Sequence, residues 1–260
     1  MMSSPDRERD CILIIADIHG NLPALRAVLA SEPQASRILC LGDLVHYGPD
    51  CTRIVSWAKE NLRPGDIVRG NHDEAAATGK SANPRGFGQT IPAEITARTR
   101  NIISGAERQF LGKIPLVSDL FLHPGRWQLT HGLPSDPLYG YLLEDGPSLR
   151  WSDEVRIAGD PKALLVGHTH RPFLKEVRQT TVVNPGSVGR PKDGDPRASY
   201  ALWRDGKFSL KRVAYEQTDL VRRLKKYFSP DLASRLESEL LSGTCGESSK
   251  TDPEVAGSIR

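Results

Sequence analysis

The sequence predicts an α/β protein. Short apolar runs alternate with amphipathic segments through the first third of the chain. Further on, strand-like runs dominate, with one helical stretch between them. Histidine-bearing motifs recur at the ends of those runs, where an open α/β sheet gathers its functional groups.

The elements follow in order. Residues 11–16 (CILIIA) form an apolar run short enough for a buried strand. Residues 21–30 read as a helix, with Asn21 as N-cap and Pro23 in the first turn, where its missing N–H costs little. A strand over 37–41, a helix over 52–60 and a strand over 66–68 complete a βαβαβ rhythm, which implies parallel strands. Gly, Pro, Asn and Ser mark 79–91 as a loop, and 92–112 reads as a helix. LVSDLFLH, RWQLTH, ALLVGHTH, TTVVNPG, ASYALWR and KFSLKRVAY are then strand-like, with a helix near 147–156 and a hairpin turn at 204–207 (RDGK). Helices are expected at 217–228 and 230–241, the second opened by Ser229-Pro230. Residues 243–260 are polar and Gly/Ser-rich, which predicts a disordered tail, so residues 1–242 are expected to form one domain.

Composition narrows the function classes. The chain of 260 residues is 38% hydrophobic and 26% charged, ordinary for a globular protein. Its 35 basic and 32 acidic residues leave a formal charge of +3, which offers no electrostatic case for long nucleic acid or an anionic membrane. The basic run from Arg222 to Lys226 fits the solvated face of a helix. The first apolar run is too short for a secretory or membrane segment, and Cys11, Cys40, Cys51 and Cys245 form no CxxC pair. Cys11 and Cys40 lie in apolar runs, as buried free thiols do. These features predict a reduced, cytoplasmic protein.

The chemistry concentrates in five short motifs: Asp17-Ile18-His19, Gly42-Asp43, Gly70-Asn71-His72-Asp73, His131-Gly132 and Gly167-His168-Thr169-His170. In extended chain, Asp17 and His19, or His168 and His170, would stand about 6–7 Å apart on one face. One metal reaches both members only if the chain bends, whereas two metals about 3.5–4 Å apart are served more easily. Glycines beside each motif permit sharp turns. Asn71, His72 and Asp73 cannot all face one centre, because neighbours point in different directions on a strand or a helix. Taken singly, Asp17-Ile18-His19 is a weak metal signal, Gly70–Asp73 could equally be a helix cap with a polar loop and Gly167–His170 a surface turn; together, each at a strand end, the five motifs point to a metal centre. His123 reads as a surface residue beside Pro124, and His46 lies near the motifs without ligand spacing.

This succession of motifs resembles the calcineurin-like metallophosphoesterases over about residues 11–215. Tyr47-Gly48-Pro49-Asp50 and the text VNPGSVGRP narrow the resemblance to their compact prokaryotic branch. It implies a four-layer α/β/β/α sandwich, two mixed sheets flanked by helices, with two divalent transition-metal ions at the strand ends. By motif, Asp17, His19 and His170 would hold the first ion, Asn71, His131 and His168 the second, and Asp43 would bridge both. A carboxylate has two oxygens and suits that bridge, while neutral imidazoles accept Mn (the first choice), Fe, Zn or Ni. The resemblance also implies a metal-bridging hydroxide as nucleophile and His72 as general acid. Asp73 is left as a support behind the ligands or a cap for the following helix.

The substrate implied is a small phosphodiester or phosphomonoester, a nucleotide among the candidates, and the oligomeric state stays open. Protein phosphatases of this superfamily carry a second Asp and an Arg after the bridging Asp. Here the text is Leu44-Val45-His46-Tyr47-Gly48, which disfavours that activity. His46 could take over either function, and Arg190 is a candidate phosphate clamp or salt-bridge partner; Arg69 and Arg171 also flank motifs. Tyr47 stands four residues after Asp43, too far along for the tyrosinate ligand of purple acid phosphatases. Some relatives on this fold are non-catalytic protein-binding scaffolds, usually with ligands lost, but every ligand position and His72 are present here.

Overall fold

A computed structural model describes residues 11–83 and 92–244. Strands β1 (Cys11–Ile15), β2 (Arg37–Cys40), β8 (Ala198–Arg204) and β9 (Lys207–Val213) form one sheet, in the order β2-β1-β8-β9. Strands β3 (Val117–Leu122), β4 (Gly125–Thr130), β5 (Ala163–Leu165), β6 (Phe173–Val177) and β7 (Thr180–Asn184) form the second, in the order β3-β4-β5-β7-β6. Both sheets are mixed. β1 runs parallel to β2 and antiparallel to β8, while β5 lies parallel to both β4 and β7, which pair antiparallel with β3 and β6.

The alternation of side chains along buried strands builds four layers. In β1, Leu13 and Ile15 face α1 (Leu22–Ser31) and α2 (Cys51–Asn61), contacting Leu25, Val28, Ile54 and Val55. Ile12 and Ile14 point the other way and meet Trp127, Leu129, Leu165 and Trp203 between the sheets. On the far side, Leu164 and Val182 pack against Trp151 and Val155 of α6 (Ser148–Ile157). Removing such a buried aliphatic side chain, for example by Ile14→Ala, costs about 2–5 kcal/mol. The result is the four-layer α/β/β/α sandwich that the resemblance implied.

Several elements differ from expectation. The strand expected at 66–68 shrinks to one parallel bridge between Cys40 and Ile67. Arg69 then bonds instead to the carbonyl of Pro115 at 2.7 Å, which peels the chain away toward α3 (Asn71–Thr78). The long helix over 92–112 is two helices, α4 (Ala93–Ile102) and α5 (Gly105–Lys113). Ser104 starts the second with a capping box, its hydroxyl accepting from the Glu107 amide while Glu107 accepts from the Ser104 amide. The S-x-x-E signature for that break stands in the sequence. Strand β6 was not expected; it is short, carries Lys175 and Glu176, and lies at a sheet edge, where charge is tolerated.

Other readings hold. The Asn21 side chain caps α1 by accepting from Ala24 at 3.1 Å. Helices α7 (Thr218–Tyr227) and α8 (Pro230–Ser242) bury Leu220, Leu224, Leu236 and Leu240 against each other and against Ile95 of α4, and expose Arg222, Lys225 and Lys226. Gly243 ends α8 in the left-handed conformation, while the rest of the expected tail, 245–260, and loop residues 84–91 lie outside the described residues. Among the described residues no helix is long and apolar enough to cross a membrane.

Candidate metal centre

The five motifs converge at one end of the two sheets. Asp17 and His19 follow β1, Asp43 follows β2, His131 follows β4, and His168 and His170 follow β5. The bend that the Asp-x-His and His-x-His spacings require is present. Asp17, His19, Asp43, His168 and His170 all have positive φ, between 49° and 67°. Such left-handed backbone is uncommon outside glycine and persists where its surroundings enforce it. Here backbone hydrogen bonds do so: Asp17 N–H to Gly42, His19 N–H to Asp43 and Gly189 N–H to Asp17, each 3.0 Å.

Close approach of the loops demands glycine at two positions. A Cβ on Gly70 would collide with the Asp43 carboxylate, and one on Gly42, where φ is +88°, would collide with Gly70 backbone. The loop after β2 and the start of α3 therefore meet backbone to backbone.

Two clusters of metal-competent atoms result. One nitrogen or oxygen from each of Asp17, His19, Asp43 and His170 lies within 4.8 Å of the others, and the same holds for Asp43, His131 and His168. Asp43 belongs to both, with Oδ2 3.7 Å from His19 Nε2 and 3.4 Å from His131 Nε2. Asn71 Oδ1 approaches the second cluster, 2.8 Å from His131 Nε2.

Three imidazoles are aimed by their outer nitrogens. His19 Nδ1 donates to Val45 O at 3.0 Å, His131 Nδ1 to Leu41 O at 2.7 Å and His170 Nδ1 to Arg190 O at 2.5 Å. A carbonyl only accepts, so each Nδ1 carries the proton and each Nε2 turns a lone pair inward.

Electrostatics favour a cation at this place. Asp17 Oδ1 and Asp43 Oδ2 are buried without a hydrogen-bond partner among the described residues, an expensive condition for carboxylate oxygens. Burial pushes His19 and His168 down to about 3, and His72 and His170 well below the usual imidazole range, so they present neutral donors at pH 7. Burial would lower His131 too, but the Asp43 carboxylate outweighs it and raises His131 to about 9. A bound cation would take over the role of that proton, since metal ligands bind deprotonated. Orphaned carboxylate oxygens facing inward lone pairs are the donor set two divalent ions require, so the residues fit such a centre.

The triplet at the start of α3 divides as neighbours on a helix must. Asn71 turns to His131, and its amide nitrogen donates to Ala82 O at 2.7 Å. The His72 amide donates to Asp43 Oδ1 at 2.9 Å, and its Nδ1 lies 2.6 Å from His46 Nδ1. Asp73 accepts from the amides of Asp43, Leu44 and Gly70 at 2.8, 2.9 and 3.1 Å, buckling the bridging loop to the helix. Burial, with the Asp43 charge beside it, pushes Asp73 up to about 7.

Of the flanking residues, His46 is fully buried with φ +74°, and burial pushes it down to about 4. Tyr47 meets His19 and His72 through its ring, at 5.0 and 5.1 Å between centroids. The Arg190 guanidinium lies over that ring at 4.2 Å and bonds to Glu239 of α8, the salt-bridge use of the two open to it. Arg69 is tied to Gly112 O and Glu74, Arg171 is exposed, and His123 is at the surface.

Sequence reasoning missed four supporting residues. Asn184 donates to Gly167 O and Thr169 Oγ1, and Ser187 donates to Asp17 O while accepting from the Arg190 amide. Their signal was the VNPGSVGRP text, read as a family mark and not as a clamp on two loops. Tyr141 stands edge-on to His168 at 5.6 Å, and the charge of Lys192 acts on both His168 and His170. Neither has motif spacing, so only the folded chain discloses them.

The family model described as "Calcineurin-like phosphoesterase superfamily domain" matches residues 11–204. The chain belongs to that family. The archaeal Uncharacterized protein MJ0912 of Methanocaldococcus jannaschii is 29% identical over 249 residues, covering 88% of this chain and 98% of that protein. Phosphodiesterase YfcE of Escherichia coli is 26% identical over 196 residues, covering 74% of this chain and 85% of the enzyme. The crystal structure of a metallophosphoesterase from Sphaerobacter thermophilus aligns with a TM-score of 0.73 at 28% identity, over 90% of this chain and 99% of that one. The membership accords with the two adjacent clusters, and together they support a hydrolase function. Helices α7 and α8 lie beyond the matched family span.

Proposed function

We propose that this chain is a dinuclear-metal phosphoesterase that hydrolyses a small phosphodiester or phosphomonoester, nucleotides included. One observation carries the reading: two clusters share Asp43, whose buried Oδ2 has no hydrogen-bond partner among the described residues and faces imidazoles on both sides. Asp17, His19 and His170 would hold one ion, Asn71, His131 and His168 the other, and Asp43 both. Mn is the first candidate, with Fe, Zn and Ni compatible with the same donors. When bound, such a pair supplies an activated water and neutralises charge on the phosphoryl oxygens.

The chain's own groups do the rest. His72 is the general acid: its amide is anchored on Asp43 and its Nδ1 on His46, which leaves Nε2 to hand a proton to the leaving oxygen. Burial keeps His72 neutral at rest, so the anionic phosphoryl group must raise it, which ties proton loading to substrate arrival. His46 holds the His72 ring, and Asp73 holds the loop that carries Asp43. Arg190, tied to Glu239, remains a weaker candidate for touching substrate. The near-balanced charge supports a small substrate over long nucleic acid. Buried free Cys11, Cys40 and Cys51 support a reducing, cytoplasmic setting, and residues 1–242 are taken as one unit.

Metal analysis is expected to find close to two transition-metal ions per chain. Hydrolysis of p-nitrophenyl phosphate mono- and diesters should vanish with chelator and return with Mn²⁺. Full activity of metal-free protein in the presence of chelator would overturn the reading.

A further inference from the structure

Helices α7 and α8 lie beyond the span that the family model matches, yet they are built against the metal centre. Their apolar cluster packs on Tyr47, whose ring meets both His19 and His72. The end of α8 is also pinned to the chain that follows β7, where the Gly194 amide donates to Gly243 O at 2.9 Å.

The segment from Ser187 to Gly194 is thereby held from two sides. Toward the metal centre, Ser187 Oγ and the Gly189 amide donate to Asp17 O at 2.7 and 3.0 Å, and the Lys192 amide donates to His170 O at 3.3 Å. A Cβ on Gly189 would collide with Ile18 O, so this segment lies directly on the Asp-x-His loop. Toward α8, the Arg190 guanidinium donates to the Glu239 carboxylate.

Arg190 joins the two sides. Its carbonyl accepts from His170 Nδ1 at 2.5 Å and so aims that ring, while its guanidinium lies over Tyr47 at 4.2 Å and meets Glu239. Both members of the ion pair are buried, Arg190 at 7% and Glu239 at 5% exposure. The other Glu239 oxygen accepts from Arg235 at 3.0 Å, which fixes the carboxylate along the helix. A buried pair is a weak source of net stability, but loss of one member strands the charge of the other. A guanidinium deprived of this carboxylate is drawn toward water, and the peptide that aims His170 belongs to the same residue.

We propose that Glu239 is a positioning residue for the metal centre: acting through Arg190, it holds His170 in the pose that binds the ion shared with Asp17 and His19. The inference rests on the metal centre read above and goes beyond it by giving the terminal helices a task in that centre. Glu239 touches neither ion nor substrate. An ion pair that served stability alone would not distinguish one ion from the other.

The test titrates metal-stripped, full-length protein with Mn²⁺ by calorimetry and reads stability alongside from urea midpoints. Glu239→Gln keeps the size and removes the charge; it should weaken one of the two ions roughly tenfold or more and leave the other within about twofold. Beside His168→Gln, whose remaining ion is the one held by Asp17, His19 and His170, it should weaken that ion to the same degree. Glu239→Asp keeps the charge but withdraws it by a methylene, and should show a smaller loss at the same ion. Leu232→Ala, two turns from Glu239 on α8, should lower the urea midpoint and leave both affinities within about twofold. Unchanged affinities in Glu239→Gln, equal losses at both ions, or the same selective loss in Leu232→Ala would each overturn the proposal. Should Glu239→Gln lack a cooperative urea transition, Glu239→Asp decides by the same criteria. Failure of the phosphoesterase reading shows separately, as a wild-type protein that binds fewer than two ions.

Discussion

Asp17, His19 and His170 are themselves sealed from solvent, whereas the cluster of Asp43, His131 and His168 is open at one ring. The sealed half is braced from behind: Val45 O and Arg190 O hold the two rings, Ser187 holds the Asp17 backbone, and Arg190 is itself anchored to α8. The open half draws its donors from a helix start, a strand end and a loop, and borders Tyr141. The difference teaches that the two halves are unequal in enclosure and in bracing, although they share a single carboxylate.

The largest effect tests that joint. Asp43→Asn removes the shared charge and should release at least one ion and lower activity more than about a hundredfold, beyond the loss typical of groups behind a ligand. His168→Gln should instead leave about one ion in the sealed half, read by metal analysis. Loss of both ions from the His168 variant, or retention of both by the Asp43 variant, would break the comparison.

Next in size is His72, which touches Asp43 without joining either cluster. His72→Ala should retain its metals and lose roughly 10²–10⁴-fold in kcat with alkoxide leaving groups. With p-nitrophenolate, which leaves without a proton, the loss should be much smaller. A uniform loss would remove His72 from the acid role.

The smallest effect concerns the metal-free protein. Burial holds His19, His46 and His168 at about 3 to 4, below their unfolded value near 6.5. Between pH 6.5 and about 4 the unfolded chain takes protons that the folded chain refuses, so stability falls on acidification. Each such group contributes up to about 1.4 kcal/mol per pH unit. His131, raised to about 9, opposes this fall only near pH 6.5, where the unfolded chain is still half protonated at that site, and Asp73, raised to about 7, offsets one histidine. The urea midpoint of metal-free protein should therefore drop from pH 6.5 to 5. A rise would show that the histidines of both halves are more hydrated than their burial implies.

Much of this molecule was legible before folding. Apolar runs such as CILII and ALL, bounded by motif glycines, mark strands buried on both faces, and their periodicity belongs to the local chain. The order of the His and Asp motifs was equally plain, because reactive residue types at strand ends leave a mark in the text. Less legible were features in which the local chain is indifferent. Residues 66–68 look like any short strand, and only the pull of Pro115 on Arg69 cuts the pairing to a single bridge. Ser104 showed its capping box in the sequence, yet helical propensity on both sides hid the break.

By itself, then, the sequence determined the α/β class, the strand-end motifs and the impossibility of one role for Asn71, His72 and Asp73. Tertiary structure alone decided which way each of those three faces, that His46 lies against His72, that Arg190 is committed to Glu239, and that Tyr141 borders His168. The physical reason is range. Periodicity and residue chemistry act over a few positions, while these pairings join residues from 26 to 60 positions apart through loops whose meeting depends on the whole sandwich.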